Sequence, residues 1–425
     1  MLTITTRSLS LLCIALAVAL ASAPAAAQPR VTVISQWAAG AEGDAMNAFG
    51  DLVTKSGATW QHNPVPGFTT DMMNKLRADI IAGKPPAASQ LKGPEIQAWS
   101  QIAPTVSMSD LVASSDYEKV ISPELANLHK VKGQWVALPL QVHRLNTLYA
   151  SKRAMEKIGV TTLPKNWDEF NTMAKRMKDA GITPVAHGGL PWTDTLYFDL
   201  TLIGISVDAY RNAIMKLDDK ALRGPEVLAA FRQLRQLSEW MNPASAGQHW
   251  SVFIPGLMKG EYGFLMMGGW ASGVFKRGKF EEGKDYVCGP TPSSSSKPVF
   301  DLNADGMIFW DTKNADLLAG QKITAQVAMG KDFNRIFSQI QGSIPARTDI
   351  DLSDAAFQDC QRDASANLAA AIAANQVVLS LSQNMAHNSS ITASLRDVIT
   401  EYVHNKSIAP EEGQKRLAAA AAAAR

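Results

Sequence analysis

Arg30-Val-Thr-Val-Ile-Ser-Gln-Trp37 passes into the small, turn-prone Ala38-Ala-Gly-Ala-Glu-Gly43 and then into a helical pattern through Phe49 and Leu52. A β-branched run, a glycine-bearing loop and an apolar period of three to four residues make the strand, loop and helix that open an α/β unit. The alternation continues downstream. A helix is predicted around Asp71 to Ala82, closed by Gly83-Lys-Pro-Pro86, and a short strand follows through Leu91. Lys132-Gly133 reads as a hairpin turn ahead of the apolar Trp135 to Val142, and Asn166 with Glu169 reads as a capping box at a helix start. The segment Gly289 to Pro298 has the composition of an exposed loop or an inter-lobe connection, with a strand resuming at Val299-Phe300. The alanines from 418 to 424 either extend a helix or fray. Such alternation predicts parallel sheets covered on both faces.

Upstream of this unit, Arg7 precedes the apolar stretch Leu9 to Ala21 and then Ala25-Ala-Ala27. That order is a secretory leader with its cleavage site, so residues 1–27 are expected to be a signal peptide and the mature chain to be periplasmic, starting near Gln28. Cys13 follows Leu12, not the small residue a lipoprotein signal needs, so no lipid anchor is expected. No later apolar run approaches the ~18 residues that span a bilayer. Without the leader, a chain of 425 residues still exceeds the ~250 to 300 at which a single core stops growing, which predicts two lobes. Removing Arg7 with the leader takes 41 basic residues to 40 against 39 acidic, a net charge of +1. This balance argues against a nucleic-acid partner. Only Cys288 and Cys360 remain, and in an oxidising compartment an isolated pair reads as a disulfide before it reads as two buried thiols.

Motifs for catalysis are missing: there is no G-x-S-x-G elbow, H-E-x-x-H, phosphate loop or G-x-G-x-x-G. The seven histidines are scattered without zinc-site spacing, so neither a metal nor a cofactor is expected. Tryptophan is the informative residue, ten in all, several beside glycine and polar side chains. Trp37 precedes a glycine-bearing loop, Trp192 follows His187-Gly-Gly-Leu-Pro191, and Trp270 follows Gly268-Gly269. A sugar has an apolar C–H face and a belt of hydroxyls, so its site needs flat aromatic surfaces and oriented polar groups. Taken singly, each tryptophan reads equally as a core residue, and Glu42, Lys92, Asn303 and Asp305 as ordinary surface groups.

Read together, Gln36-Trp-Ala-Ala-Gly-Ala-Glu42, Gln90-Leu-Lys-Gly-Pro94, Val142-His-Arg144, Asn166-Trp-Asp-Glu-Phe170, Ala186-His-Gly-Gly189, Gly342-Ser-Ile-Pro345 and Met385-Ala-His387 give a resemblance. The sequence resembles the glucose/mannose-type branch of the extracellular solute-binding proteins of ABC importers over essentially the whole mature chain. The resemblance implies a two-lobed periplasmic-binding-protein fold with three inter-lobe crossings near 142, 302 and 345. Residues 28–142 and 302–345 would form the N-terminal lobe, and 143–301 and 346–425 the C-terminal lobe. It implies capture of a glucose-like hexose in the cleft and delivery to the importer membrane subunits, with a chemoreceptor as a second partner and a monomeric state. Trp37 and Trp270 would stack on the pyranose, and Glu42, Gln90, Lys92, Asn303, Asp305 and His387 would meet its hydroxyls. His143, with Arg144, falls at a crossing, placed either to touch ligand or to brace the hinge. The family's cysteine pair matches Cys288 and Cys360.

Four departures fall in or near the expected cleft. Gln36 stands where the family has the first of two tryptophans, Gln341 where it often has lysine, Gly269 where it often has aspartate, and Thr147 where tryptophan is usual. These changes predict a shifted hydroxyl preference: another sugar, a polyol or a short oligosaccharide. A secreted carbohydrate-active enzyme is the competing class, and Glu42 with Asp305 is the carboxylate pair it would need.

Overall fold

In the computed structural model, which describes residues 28–66 and 69–425, the opening run forms strand β1 (Arg30–Ser35), with Val31 and Val33 fully buried. The expected signal peptide, residues 1–27, lies outside the described residues. β1 is flanked in parallel by β2 (Thr59–Pro64) and β3 (Ala88–Lys92), the chain returning each time through a helix, Gly40–Lys55 and then Thr69–Ile81. The expected hairpin is present: β4 (Lys130–Val131) and β5 (Gln134–Trp135) turn through Lys132 at φ 50° and Gly133 at φ 77°. Positive φ at both central residues matches the twist of a two-residue hairpin. β6 (Ala137–Arg144), β11 (Phe300–Phe309) and β12 (Val377–Leu379) complete a six-stranded sheet.

A second sheet has the order β10 (Tyr286–Pro290), β7 (Thr147–Ser151), β9 (Tyr262–Met266), β8 (Thr183–Val185). Each sheet carries its own core. Val33, Phe49, Leu302, Phe333 and Phe337 pack on the first, and Tyr149, Phe170, Phe198, Phe231 and Phe264 on the second. Among the described residues no helix is long and apolar enough to cross a membrane.

The sheets are mixed, correcting the all-parallel expectation. β11 runs antiparallel to both β3 and β6, and β7 runs antiparallel to β9 and β10. β6 and β7 are separated by only two residues, a connection far too short for a helical crossover. Three local readings also shift. β12 pairs with the start of β11, so one strand of the first sheet lies in the 346–425 segment assigned above to the other lobe. Gly289 and Pro290, read as loop, extend β10, where proline is tolerated because the strand is at the sheet's edge. Asn166 caps its helix by accepting from the Glu169 amide at 2.9 Å, yet the Glu169 carboxylate closes on the Lys165 amide instead of that of Asn166. The alanine tail is helical, with Leu417, Ala418 and Ala421 buried.

Cys288 of β10 and Cys360 at the start of the helix Asp359–Ala373 are joined, their Cα atoms 6.0 Å apart. The helix packs Ala364 and Ala371 into the first core, so the disulfide ties the edge of one sheet to a helix of the other. With the two cysteines 72 positions apart, the chain-entropy account gives about 4 kcal/mol as an upper figure for its contribution. Urea unfolding with and without reductant should show a loss of up to that size, and the denatured, unreduced mature protein should titrate no free thiol.

Candidate functional site

Polar residues inside otherwise apolar strands mark the site. Asp305 on β11 faces Lys92 on β3 and Gln141 on β6 as its direct cross-strand neighbours, and Asn303 faces His143. The strand period of two puts Asn303 with Asp305, Gln141 with His143 and Gln90 with Lys92 on common faces. A register shift after Asp305 makes a bulge against β6, a device that re-aims a side chain beside a functional site. β3 and β6 both run antiparallel to β11 and β1 runs parallel to β3, so this row lies at the carboxyl ends of β1, β3 and β6. That is the end at which open α/β sheets bind ligands.

The buried Asp305 carboxylate is heavily donated to. Gln90 Nε2 reaches Oδ1 at 2.8 Å, Gln141 Nε2 reaches Oδ2 at 2.6 Å, and Asn303 Nδ2 reaches Oδ2 at 3.1 Å. Lys92 Nζ stands 3.8 Å from Oδ1 and donates to Gln383 at 2.9 Å. The amide of Gln36 donates to Gln90 Oε1, linking the first loop to the row. Glu42, in the first turn of the helix Gly40–Lys55, is pushed up to about 7, by burial first and then by repulsion from Asp305, with Lys92 opposing. His143 is pushed down to about 3 by burial, so its imidazole is neutral, and neither ring nitrogen has a well-formed hydrogen bond.

Trp37 and Trp270 are 2% and 9% exposed, each within a core, so neither is an open platform. Trp37 packs on Phe337 at 5.8 Å. Trp270 lies over Gly268 and meets His143 and Trp192 edge-on at 5.1 and 6.2 Å. Of the two readings open for Trp270, the structure places its ring among the buried residues of the second core, with Trp192 packed at that core's margin. The helix Trp270–Arg277 of the second sheet's lobe packs on the helices Gly40–Lys55 and Lys331–Gln341, and Arg277 pairs with Asp44 at 2.9 Å. Gly342, at φ 81°, and Gly273 let the backbones meet there. A narrow recess, wide enough for about one water, remains between Gln36, Met73, Gln90, Lys92, Asp305 and Asn384.

The structure thus brings Gln36, Gln90, Lys92, Asn303 and Asp305 together, sets Glu42 within their field, and places His143 beside Trp270. Gln341 acts on the His143 ring. His387 stands apart from the row: its Nε2 is 2.7 Å from the Ile214 carbonyl oxygen, a backbone partner. Gln141 and Gln383 were missed, and Trp192, singled out among the tryptophans, was not carried into the expected site. For Gln141 the signal was present as a glutamine inside the apolar run Leu138 to Val142, and for Trp192 as the preceding His187-Gly-Gly-Leu-Pro191.

Residues 44–403 match the family described as bacterial extracellular solute-binding protein. The chain belongs to that family. The solute-binding protein is 30% identical over 396 residues to a probable sugar-binding periplasmic protein of Brucella suis biovar 1, covering 93% of this chain and 92% of that one. It is 30% identical over 402 residues to a protein of the same description from Rhizobium meliloti, covering 94% and 95%. Among solved structures its fold is similar to that of a chitin oligosaccharide binding protein, at a TM-score of 0.78, 18% identity and 93% and 98% coverage. It is likewise similar to the solute receptor AcbH, described as preferring β-D-galactopyranose, at a TM-score of 0.75, 16% identity and 93% and 98% coverage.

The raised carboxyl of Glu42 sets a pH dependence. An acid whose folded value exceeds its unfolded 4.5 binds protons more tightly in the fold, so its stabilising share is full below about 4.5 and is lost as pH rises through about 7. Glu42→Gln should therefore gain in melting temperature over the unaltered protein between pH 5 and pH 8, measured without sugar. An equal difference at both pH values would contradict the assignment.

Proposed function

We propose that this solute-binding protein captures a sugar between its two lobes and delivers it to an ABC importer from the periplasm. The observation that carries the reading is the buried Asp305 carboxylate, held by three amide donors beside Lys92 at the carboxyl ends of β1, β3 and β6. An ordered set of donors and acceptors near aromatic rings is what a hydroxyl belt and a C–H face require. The periplasmic descriptions of the relatives from Brucella and Rhizobium support the compartment and the ligand class.

In this reading Trp37 and Trp270 stack on the ring, Glu42, Gln90, Lys92, Asn303 and Asp305 meet its hydroxyls, and His387 joins them only by turning from the Ile214 carbonyl. Gln36 and Gln341 adjust the preference and His143 steadies Trp270. The lobes divide at crossings near 142 and 302, with the last crossing after β12 instead of near 345 because β12 pairs in the first sheet, and closure about them buries the sugar. A glucose-like hexose is the first ligand to try, with short oligosaccharides, such as the chitin oligosaccharide bound by one fold neighbour, as the second. The protein acts as a monomer, with a chemoreceptor as a further reader of the closed form. An enzymatic reading needs two carboxylates opposed across the cleft. Glu42 and Asp305 repel each other within one lobe instead.

Two measurements test this. A thermal-shift screen against monosaccharides, disaccharides and polyols should find at least one ligand that raises the melting temperature, because a ligand bound only by the folded state stabilises it. With that ligand, Trp270→Ala should weaken binding by about 2 to 4 kcal/mol in calorimetry. Gly273→Ala puts a Cβ 2.3 Å from the Gln341 carbonyl oxygen and should lower affinity roughly tenfold or more by depleting the closed form. No stabilising sugar, or unchanged affinity in both variants, would defeat the proposal.

A further inference from the structure

Two acids outside the polar row, Asp301 near the start of β11 and Asp199 in the helix Pro191–Ile205 of the second core, are both 0% exposed. Neither oxygen of the Asp301 carboxyl has a hydrogen-bond partner, and neither does Asp199 Oδ1. Asp199 Oδ2 accepts from the Ser382 amide at 2.8 Å and from Ser380 Oγ at 3.2 Å. Tyr210 also faces Asp199, while its hydroxyl donates to the Leu379 carbonyl oxygen and accepts from the Leu381 amide. Arg396, of the helix Ser389–His404, acts on Asp199 by charge, yet its Nη2 donates to the Ser382 carbonyl oxygen and to Asn384 Oδ1. Asp305, four residues along the same strand, has three amide donors and Lys92. An ionised carboxylate buried without such partners is strongly disfavoured.

The two acids stand where the crossings proposed above converge. The Asp301 carbonyl oxygen accepts from the Leu145 amide at 2.9 Å, and the Asp301 amide donates to Asn146 Oδ1 at 2.9 Å, both partners lying just after β6. Val378 of β12 is its neighbour in the sheet, and the segment leaving β12 brings Ser380 and Ser382 to Asp199. One acid therefore belongs to the first sheet and the other to the second core, with each connection between lobes bonded or paired to one of them. Burial raises Asp199, and burial followed by the charge of Asp199 raises Asp301. Carboxyls coupled in this way titrate as a pair, and a neutral one has an O–H to donate to an oxygen of the other.

We propose that Asp199 and Asp301 share a proton across the hinge, and that the lobe arrangement which buries the sugar requires it. The inference rests on the sugar-capture reading and adds its regulation by pH. With the proton in place, the O–H of one acid fills an orphaned oxygen of the other. Without it, two buried like charges repel, and the segments they hold are driven apart. The sign follows from the direction of the shifts: an acid raised above its unfolded value contributes stability that is full below that value and is lost as pH rises.

The test compares the mature protein with Asp301→Asn at about pH 6 and about pH 10, by urea unfolding without sugar and by calorimetry with glucose, galactose and maltose, none of which titrates there. The asparagine amide donates to Asp199 at either pH, so it stands in for the shared proton. Between the two pH values, affinity for the tightest of the three sugars should fall about tenfold or more further in the unaltered protein than in Asp301→Asn, tenfold being the equivalent of one unit of pKa shift. Glu42 titrates in both proteins and cancels from the comparison. The loss of stability to alkali should likewise be smaller in the variant. Asp199→Asn should behave in the same way, and it replaces Asp301→Asn if that variant does not fold. Equal pH dependence in variant and unaltered protein would overturn the shared proton, and a difference in stability without one in affinity would overturn its link to capture. Failure of all three sugars to bind at either pH would count against sugar capture, while the sugar-free unfolding would still decide whether the proton is shared.

Discussion

The arrangement depends on one buried charge. Asp305 sits 3% exposed in the middle of β11, and an ionised carboxylate there is tolerable only if its lone pairs are filled and a cation is near. Gln90, Gln141, Asn303 and Lys92 meet both demands, and they come from the strands on either side of β11 and from β11 itself. The sheet register is thereby tied to the site: a slip of one residue in β3 or β6 would turn these donors to the opposite face and leave the carboxylate unpaired. Glu42 completes the balance, since the fold holds it where Asp305 resists its ionisation and hydroxyl donors from a ligand would favour it.

Around that charge, the lobes touch through both backbone and side chains, Lys276 Nζ donating to the Gln339 carbonyl oxygen at 3.3 Å. The Gly273 and Gly342 backbones meet where the helix Trp270–Arg277 rests on the end of the helix Lys331–Gln341, and the only ion pair described between those helices and Gly40–Lys55, Arg277 with Asp44, is largely exposed and contributes little. Contact without strong side-chain locks suits a protein whose closed form must be selected by ligand. The disulfide acts elsewhere, fixing the helix Asp359–Ala373 to β10.

Much of this was legible in the sequence. The run from Arg30 to Leu52, the helix closed by Gly83-Lys-Pro-Pro86, the Lys132-Gly133 hairpin and the cysteine pair follow from local chemistry, which a sequence states directly. Strand direction was not legible, because whether β11 runs with or against β3 depends on the path between lobes and not on the residues of either strand. β12 was missed for a related reason: Val377-Val-Leu379 is three apolar residues whose status as a strand comes from the open edge offered by Phe300–Leu302. Within the site, the residues carried by motifs, Gln90, Lys92, Asn303 and Asp305, converge. His387, equally within a motif, instead meets the Ile214 carbonyl, because a motif specifies a residue's neighbours in sequence while the facing element decides its partner.

The central claim is that sugar selects a closed form in which the helix Trp270–Arg277 lies against the helices Gly40–Lys55 and Lys331–Gln341. Because both native cysteines of the mature chain are paired, spin labels can be placed on single cysteines introduced at the exposed Lys55 and Lys279, one on each side of the cleft. Double electron–electron resonance should then show a broad or long distance distribution without sugar and one short, narrow distance at saturation. A distribution unchanged by a sugar that calorimetry shows to be bound would contradict the account.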